Sequence, residues 1–160
     1  PGNWLFTVHE LTGFAVALVL AAHWAVMAPK YRATPHYLFP WTKADSRAAV
    51  LADARATLDM LKTQRRLPET DVPTPLVGAV QGFGLIVAST MAVTGVLMFL
   101  CSGPTGLNAL GWLAKQVHEL FASLLWLYLI VHVGAALAHQ FTGQPVITKM
   151  FAHKDEDAQG

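Results

Sequence analysis

The chain has 160 residues and a formal net charge of +1, and 54% of its residues are hydrophobic while only 13% are charged. This balance is unusual for a soluble domain of this size, and the hydrophobic residues form long runs, so the composition indicates a single membrane-embedded domain. A net charge close to zero gives no argument for a nucleic-acid-binding protein. The single cysteine, Cys101, excludes an internal disulfide framework and a Cys-x-x-Cys site.

Three long runs with almost no charged residue predict three membrane-spanning helices. They cover about residues 4–27, 76–101 and 112–141, which we call spans one, two and three. Each run is long enough to cross a hydrocarbon core of about 30 Å. Span one is expected to end at Pro29, because proline interrupts a helix. The sequence therefore predicts an all-α transmembrane helical bundle that occupies residues 1–160 as one domain.

The segment between spans one and two, residues 29–75, is rich in proline, aromatic and basic residues. Within it, residues of about 46–67 carry apolar side chains at helical spacing, namely Leu51, Ala54, Leu58 and Leu61. This pattern predicts an amphipathic helix. Because its flanks are membrane spans, we expect it to lie in the membrane interface; an ordinary solvated helix is the alternative.

The basic residues predict the orientation of the chain in the membrane. Ten of the eleven lysines and arginines lie in the 29–75 loop or in the C-terminal tail, and only Lys115 lies on the opposite side. By the positive-inside rule, the loop and the tail are cytoplasmic, and nucleic acid is not needed to explain the basic loop. Three spans would leave the N-terminus outside, so either a cleaved leader or, as we expect, a further span precedes Pro1.

Two matched pairs of histidines mark spans one and three. Span one contains VHELTGFAVALVLAAH and span three contains VHELFASLLWLYLIVH, so each has a second histidine fourteen residues after the first. Fourteen residues of α-helix rise about 21 Å and make nearly four full turns, so both imidazoles of a span share one face. Spans one and three run parallel because one span separates them. The sequence therefore predicts that His9 faces His118 and that His23 faces His132.

Paired imidazoles inside a membrane indicate metal ligation, since ionisable side chains are costly there and tend to mark function. Two imidazoles complete the axial coordination of haem iron, whereas zinc or mononuclear copper would require further ligands. Glu10 and Glu119 point about 100° away from the histidines and cannot supply them. The chain has no Cys-x-x-Cys-His sequence, so two haem b groups would be held non-covalently. Their ligands would be His9, His118, His23 and His132.

Two irons at these depths would form an electron relay between the two faces of the bilayer. Span two carries many glycines and other small residues. Small residues allow close helix packing, and they would equally make room for a flat macrocycle.

The repeated His-Glu-x12-His pattern, the run HVGAALAH in span three and the basic loop resemble the bacterial cytochrome b561 family. They also resemble the di-haem cytochrome b subunits of respiratory formate dehydrogenases and nickel-iron hydrogenases. Members usually have four spans, with one ligand on a first helix; His9, His118 and His132 match that pattern. The partner of His132 is therefore His23 or a residue upstream of Pro1, and the internal repeat favours His23.

The resemblance also implies electron transport in the respiratory chain, in the bacterial inner membrane, and a possible contact with quinone. His139 follows His132 by seven residues and is too close to it for a third haem in line. By resemblance, a quinone or propionate site would include His139 and residues of the loop, namely Tyr31, Arg32, His36 and Trp41.

Three functions follow from this interpretation. We expect an electron-transfer subunit that passes electrons between a periplasmic redox partner, such as a cytochrome c or another subunit, and the quinone pool. The first alternative is a stand-alone quinone reductase or superoxide oxidase. It ranks lower because an anionic substrate would need a cationic funnel on the outer face, where only Lys115 lies. The second alternative is a membrane anchor whose haems stabilise the fold of a larger redox complex.

Overall fold

A computed structural model describes residues 3–33, 35–64 and 74–142. Its elements are α1 (Trp4–Ala33), α2 (Pro35–Leu38), a 3-10 helix (Pro40–Thr42), α3 (Ala44–Gln64), α4 (Pro75–Leu100), β1 (Ser102–Gly103), β2 (Gly106–Leu107) and α5 (Ala109–Phe141). Three of these helices are long and apolar enough to cross a membrane, over Trp4–Pro29, Pro75–Leu100 and Ala109–Phe141. The prediction of an all-α transmembrane bundle is therefore confirmed.

The apolar span ends at Pro29, but the prediction that its helix stops at this proline is wrong. The helix α1 continues through this proline to Ala33. Proline removes one backbone donor, so the helix loses one hydrogen bond at this position and continues beyond the apolar span into the basic segment that follows.

The helix α4 lies between α1 and α5 and runs antiparallel to both. Phe14 of α1 meets Phe99 near the end of α4, with ring centroids 5.0 Å apart. Further along α1, the indole Nε1 of Trp24 donates a hydrogen bond to Ser89 Oγ at 3.0 Å. The helices α1 and α5 contact each other much less than each contacts α4. Since α1 and α5 are both antiparallel to α4, they run parallel to each other, as the sequence predicts.

Glycines in the first half of α4 allow two close approaches. A Cβ atom at Gly82 would collide with the backbone carbonyl of Leu38, and one at Gly84 would collide with the ring of Tyr128. Both glycines are buried. The absent side chains therefore let the loop helices and α5 pack directly against the α4 backbone.

Short polar side chains fix the ends of the long helices. Thr74 is the N-cap of α4, and its hydroxyl accepts a hydrogen bond from Val77 N. Asn108 is the N-cap of α5, and its side-chain oxygen accepts one from Gly111 N at 2.9 Å. Between α4 and α5, β1 and β2 form a small antiparallel hairpin, and its second strand begins with Gly106 at φ +100°. We call this side of the bundle the hairpin end.

The helix α3 corresponds to the predicted amphipathic helix, and residues 65–67 of that prediction lie outside the described residues. Asp53 Oδ2 accepts a hydrogen bond from Leu76 N at 2.9 Å. This bond attaches α3 to the first turn of α4, where a carboxylate also interacts favourably with the helix dipole. The leucines of α3 remain exposed on this chain, namely Leu51, Leu58 and Leu61. Their burial in a membrane interface stays a prediction.

We predict that Gly84→Ala destabilises the bundle. The added methyl group would enter the volume of the Tyr128 ring, and overpacking of this kind typically costs about 1–3 kcal/mol. The gain in helix propensity from glycine to alanine, at most about 1 kcal/mol, offsets only part of that cost. Thermal unfolding in detergent, followed by circular dichroism, would show a lower midpoint.

Gly134→Ala is the matched control, because a Cβ at Gly134 of α5 meets nothing within 4 Å. It should leave the midpoint unchanged or raise it. Equal stability of the two variants would contradict the packing described for Gly84.

Candidate functional site

The structure brings His9 and His118 together near the hairpin end. Their ring centroids are 6.2 Å apart and the ring planes are nearly perpendicular, at 88°. His9 lies on α1, where it is exposed within this chain, and His118 lies on α5, where it is half-buried. At this depth the imidazole of His9 on α1 lies opposite that of His118 on α5, as the matching sequences of spans one and three predict.

A cavity of about 580 Å³ adjoins these two imidazoles. Its walls come from α1, α4, α5 and the hairpin, and they are mostly apolar. Phe14, Met91 and Phe99 are among the residues that form them. The volume lies in the range of about 300–1,000 Å³ that is typical of small-molecule and cofactor sites.

Gly95 and Thr94 of α4 contact the ring of His118. A Cβ at Gly95 would lie 3.4 Å from His118 Cε1, which is tighter than most such contacts. Thr94 Oγ1 lies 2.9 Å from His118 Nδ1. The sequence analysis did not identify Thr94 as a neighbour of a candidate ligand. A helical pattern within one span does not show which residue of a neighbouring helix it meets.

Charged residues stand at the edge of the same cavity. Glu10 and Lys115 both contribute to its lining. Lys115 Nζ forms an ion pair with Glu119 Oε1 at 2.6 Å, one turn along α5.

The second predicted pair, His23 and His132, lies further from the hairpin end. The ring of His132 stacks on Tyr128, with centroids 5.1 Å apart and planes 16° apart. The half-buried ring of His23 lies 6.5 Å from that of Trp24. Of the two cavities described, neither is lined by His23 or His132. Their pairing stays a prediction.

The residues expected at a quinone or propionate site are only partly described. Trp41 lines a second cavity of about 400 Å³, which is almost entirely apolar and also includes Tyr128. His36 Nδ1 lies 3.2 Å from Thr42 Oγ1, and His139 is in the last turn of α5. The side chains of Tyr31 and Arg32 lie outside the described part of the chain.

The residues at the hairpin end fit a haem with two axial imidazoles. A metal–imidazole bond is about 2 Å long, so two imidazoles on opposite sides of one metal ion have ring centroids roughly 6 Å apart. The observed separation is 6.2 Å. The apolar walls suit a porphyrin, and Lys115 offers a cation at the edge. Among the described residues, no group of three or more His, Cys, Asp or Glu side chains is arranged to hold a metal ion. The site is therefore less suited to a bare ion.

A family model described as prokaryotic cytochrome b561 matches residues 1–153. The match covers nearly the whole chain, including all four candidate ligands. No curated protein and no solved structure matches the chain.

We predict that Gly95→Leu prevents haem binding at the hairpin end. The new side chain would extend from α4 towards His118 and into the cavity. Val93→Leu is the control, because Val93 is exposed on the same helix two residues earlier. The absorbance of the purified proteins in the haem region, divided by protein concentration, measures the effect. A full haem content in Gly95→Leu would show that this cavity is not the haem site.

Proposed function

Because the chain belongs to the prokaryotic cytochrome b561 family, we propose that it is a di-haem cytochrome of the bacterial inner membrane. It carries electrons between a periplasmic redox partner and the quinone pool. Membership establishes the coarser description, a membrane b-type cytochrome that transfers electrons. We propose in addition that the chain binds two haems, that four histidines hold them, and that its partners are a periplasmic redox protein and quinone.

The observation that supports the proposal most strongly is the pair of imidazoles 6.2 Å apart beside a cavity of about 580 Å³. His9 and His118 would be the axial ligands of the haem at the hairpin end. Haem iron held by two histidines supplies a one-electron carrier with no open position for dioxygen. The helices contribute the ligands at matching depth, and the apolar walls exclude water from the iron.

The second haem would be held by His23 and His132. The support for it is the repeat in the sequence, which sets each of these histidines fourteen residues after a histidine of the first pair. The rise over that distance is about 21 Å, which separates the two irons along the membrane normal. Tyr128 stacks against His132 and would restrain its ring plane. A ligand upstream of Pro1 is the alternative to His23.

Lys115 would stabilise a haem propionate at the hairpin end. Its ammonium group lies at the edge of the cavity and is already paired with Glu119. Propionates are the only charged groups of a b-type haem, and they favour the polar end of a membrane site. This use of Lys115 also weakens the alternative of a superoxide oxidase, because no other lysine or arginine of the chain is predicted on that side to attract an anion.

The apolar cavity beside Trp41 and Tyr128 is where a quinone would exchange electrons with the second haem. Its almost entirely apolar lining suits a quinone ring and its prenyl tail. Tyr128 lines this cavity and stacks on His132, so a quinone there would lie close to a candidate ligand. We expect this end and the C-terminal tail to be cytoplasmic, from the distribution of basic residues.

We predict two haem b groups per chain, and the loss of one of them in each ligand variant. His118→Leu removes the ligand that His9 cannot replace alone, so the pyridine haemochrome assay should fall from two haems to about one. His132→Leu should give the same stoichiometry by loss of the other haem. The double variant should bind none.

Gln116→Leu is the matched control, since Gln116 is exposed and lies two residues from His118. It should keep both haems. A wild-type protein with a single haem would contradict the di-haem proposal, and two haems in His118→Leu would contradict the ligand assignment.

We predict that Val80→Trp slows reduction of the haems by a quinol. Val80 lines the apolar cavity, and the larger side chain would fill it while the candidate ligands stay intact. Stopped-flow absorbance with a soluble quinol measures the rate, and Val77→Trp is the control, because Val77 is similarly exposed on the same helix but does not line this cavity. Equal rates in the two variants would exclude this cavity as the site of quinol oxidation.

A further inference from the structure

Thr94 is a buried polar residue in an apolar helix. Its side chain is 7% exposed, and among the described residues it is the only buried polar one. Two hydrogen-bond partners surround its hydroxyl group: Oγ1 lies 2.7 Å from the backbone oxygen of Thr90 and 2.9 Å from His118 Nδ1. The oxygen of Met91 is a more distant neighbour, at 3.2 Å.

The position of one proton follows from these contacts. A threonine hydroxyl has a single proton to donate. The backbone oxygens of Thr90 and Met91 can only accept, and the short distance of 2.7 Å from Oγ1 to the oxygen of Thr90 favours donation of the hydroxyl proton to that oxygen. The same hydroxyl can then only accept from His118. Its partner Nδ1 therefore carries a proton, and in a neutral imidazole this leaves the lone pair on Nε2.

We propose that Thr94 is a positioning residue for the haem that His118 would hold at the hairpin end: it fixes the tautomer of His118 that leaves the lone pair on Nε2, and it would thereby lower the reduction potential of that haem. This inference rests on the proposed function, because it assigns Thr94 a role only where His118 is a ligand. Gly95 supports the same arrangement by leaving space for the ring edge at Cε1.

The effect on the potential follows from the direction of the hydrogen bond. An N–H group of a ligating imidazole that donates to an oxygen makes the ligand more basic. A more basic ligand stabilises ferric iron more than ferrous iron, so the potential falls. Since Thr94 is buried, water is poorly placed to replace the lost acceptor in a variant, and hydrogen bonds are stronger in such an environment.

Thr90 provides an internal comparison one turn earlier on α4. Its hydroxyl also donates to a backbone oxygen four residues before it, that of Ile86, at 2.9 Å. The ring atoms of His118 lie near Thr94 and Gly95 instead. Replacing either threonine by valine removes the same kind of bond within the helix, so a difference between the two variants reports on the contact with His118.

The test is a potentiometric titration of the α-band in the purified full-length protein and in three variants. Thr94→Val should raise the midpoint potential of one haem and leave the other unchanged. We expect a change of about tenfold in the reduction equilibrium, which corresponds to about 59 mV for one electron. Thr90→Val should keep both potentials. Thr94→Ser, which retains the hydroxyl, should also keep them.

Every other outcome either supports or overturns the role of Thr94, or overturns the proposed function. Equal potentials in Thr94→Val and Thr90→Val, with both haems bound, would overturn the role of Thr94 while the proposed function stands. Loss of one haem in Thr94→Val but not in Thr94→Ser would support the role, because serine retains the hydroxyl group that valine lacks. Loss in both would overturn it. A wild-type protein without haem would instead overturn the proposed function itself.

Discussion

The structure depends on the close approach of two imidazoles across an apolar space. A histidine within a membrane is costly unless it has a partner, and a metal shared by two of them supplies one to both. The 6.2 Å between the rings of His9 and His118 places these residues of α1 and α5 at the same depth. The antiparallel helix α4 returns the chain between them, so that α1 and α5 run parallel and their matching histidines lie at the same end of the bundle. The order of the three helices is thus linked to the position of the candidate site.

The helix α4 has two kinds of surface along its length. In its first half, Gly82 and Gly84 allow direct packing against Leu38 and Tyr128 at these two positions. In its second half, Ala92 and Gly95 line the cavity beside His118. The two interpretations of its small residues, close packing and room for a macrocycle, therefore apply to different parts of the same helix. The small-residue content of the whole span does not show this difference between its two halves.

The sequence predicted the three spans and the approach of His9 to His118, because hydrophobic runs and a fourteen-residue spacing act within single helices. It did not predict the contact between Thr94 and His118, which depends on how α4 is rotated against α5. Nor did it predict that α1 passes through Pro29, because a proline removes only one backbone hydrogen bond and does not by itself show whether a helix ends there or continues. The apolar cavity at Trp41 was also missed, since it forms only where the loop meets α4 and α5. The pairing of His23 with His132 is the part of the site that stays a prediction.

An anomalous difference map collected at the iron absorption edge tests the central claim most directly. The account predicts an iron peak between His9 and His118, within coordination distance of a ring nitrogen of each, and a second peak further along the membrane normal beside His132. Density that fills the space between His9 and His118 with side chains or lipid, and no iron there, would contradict the account.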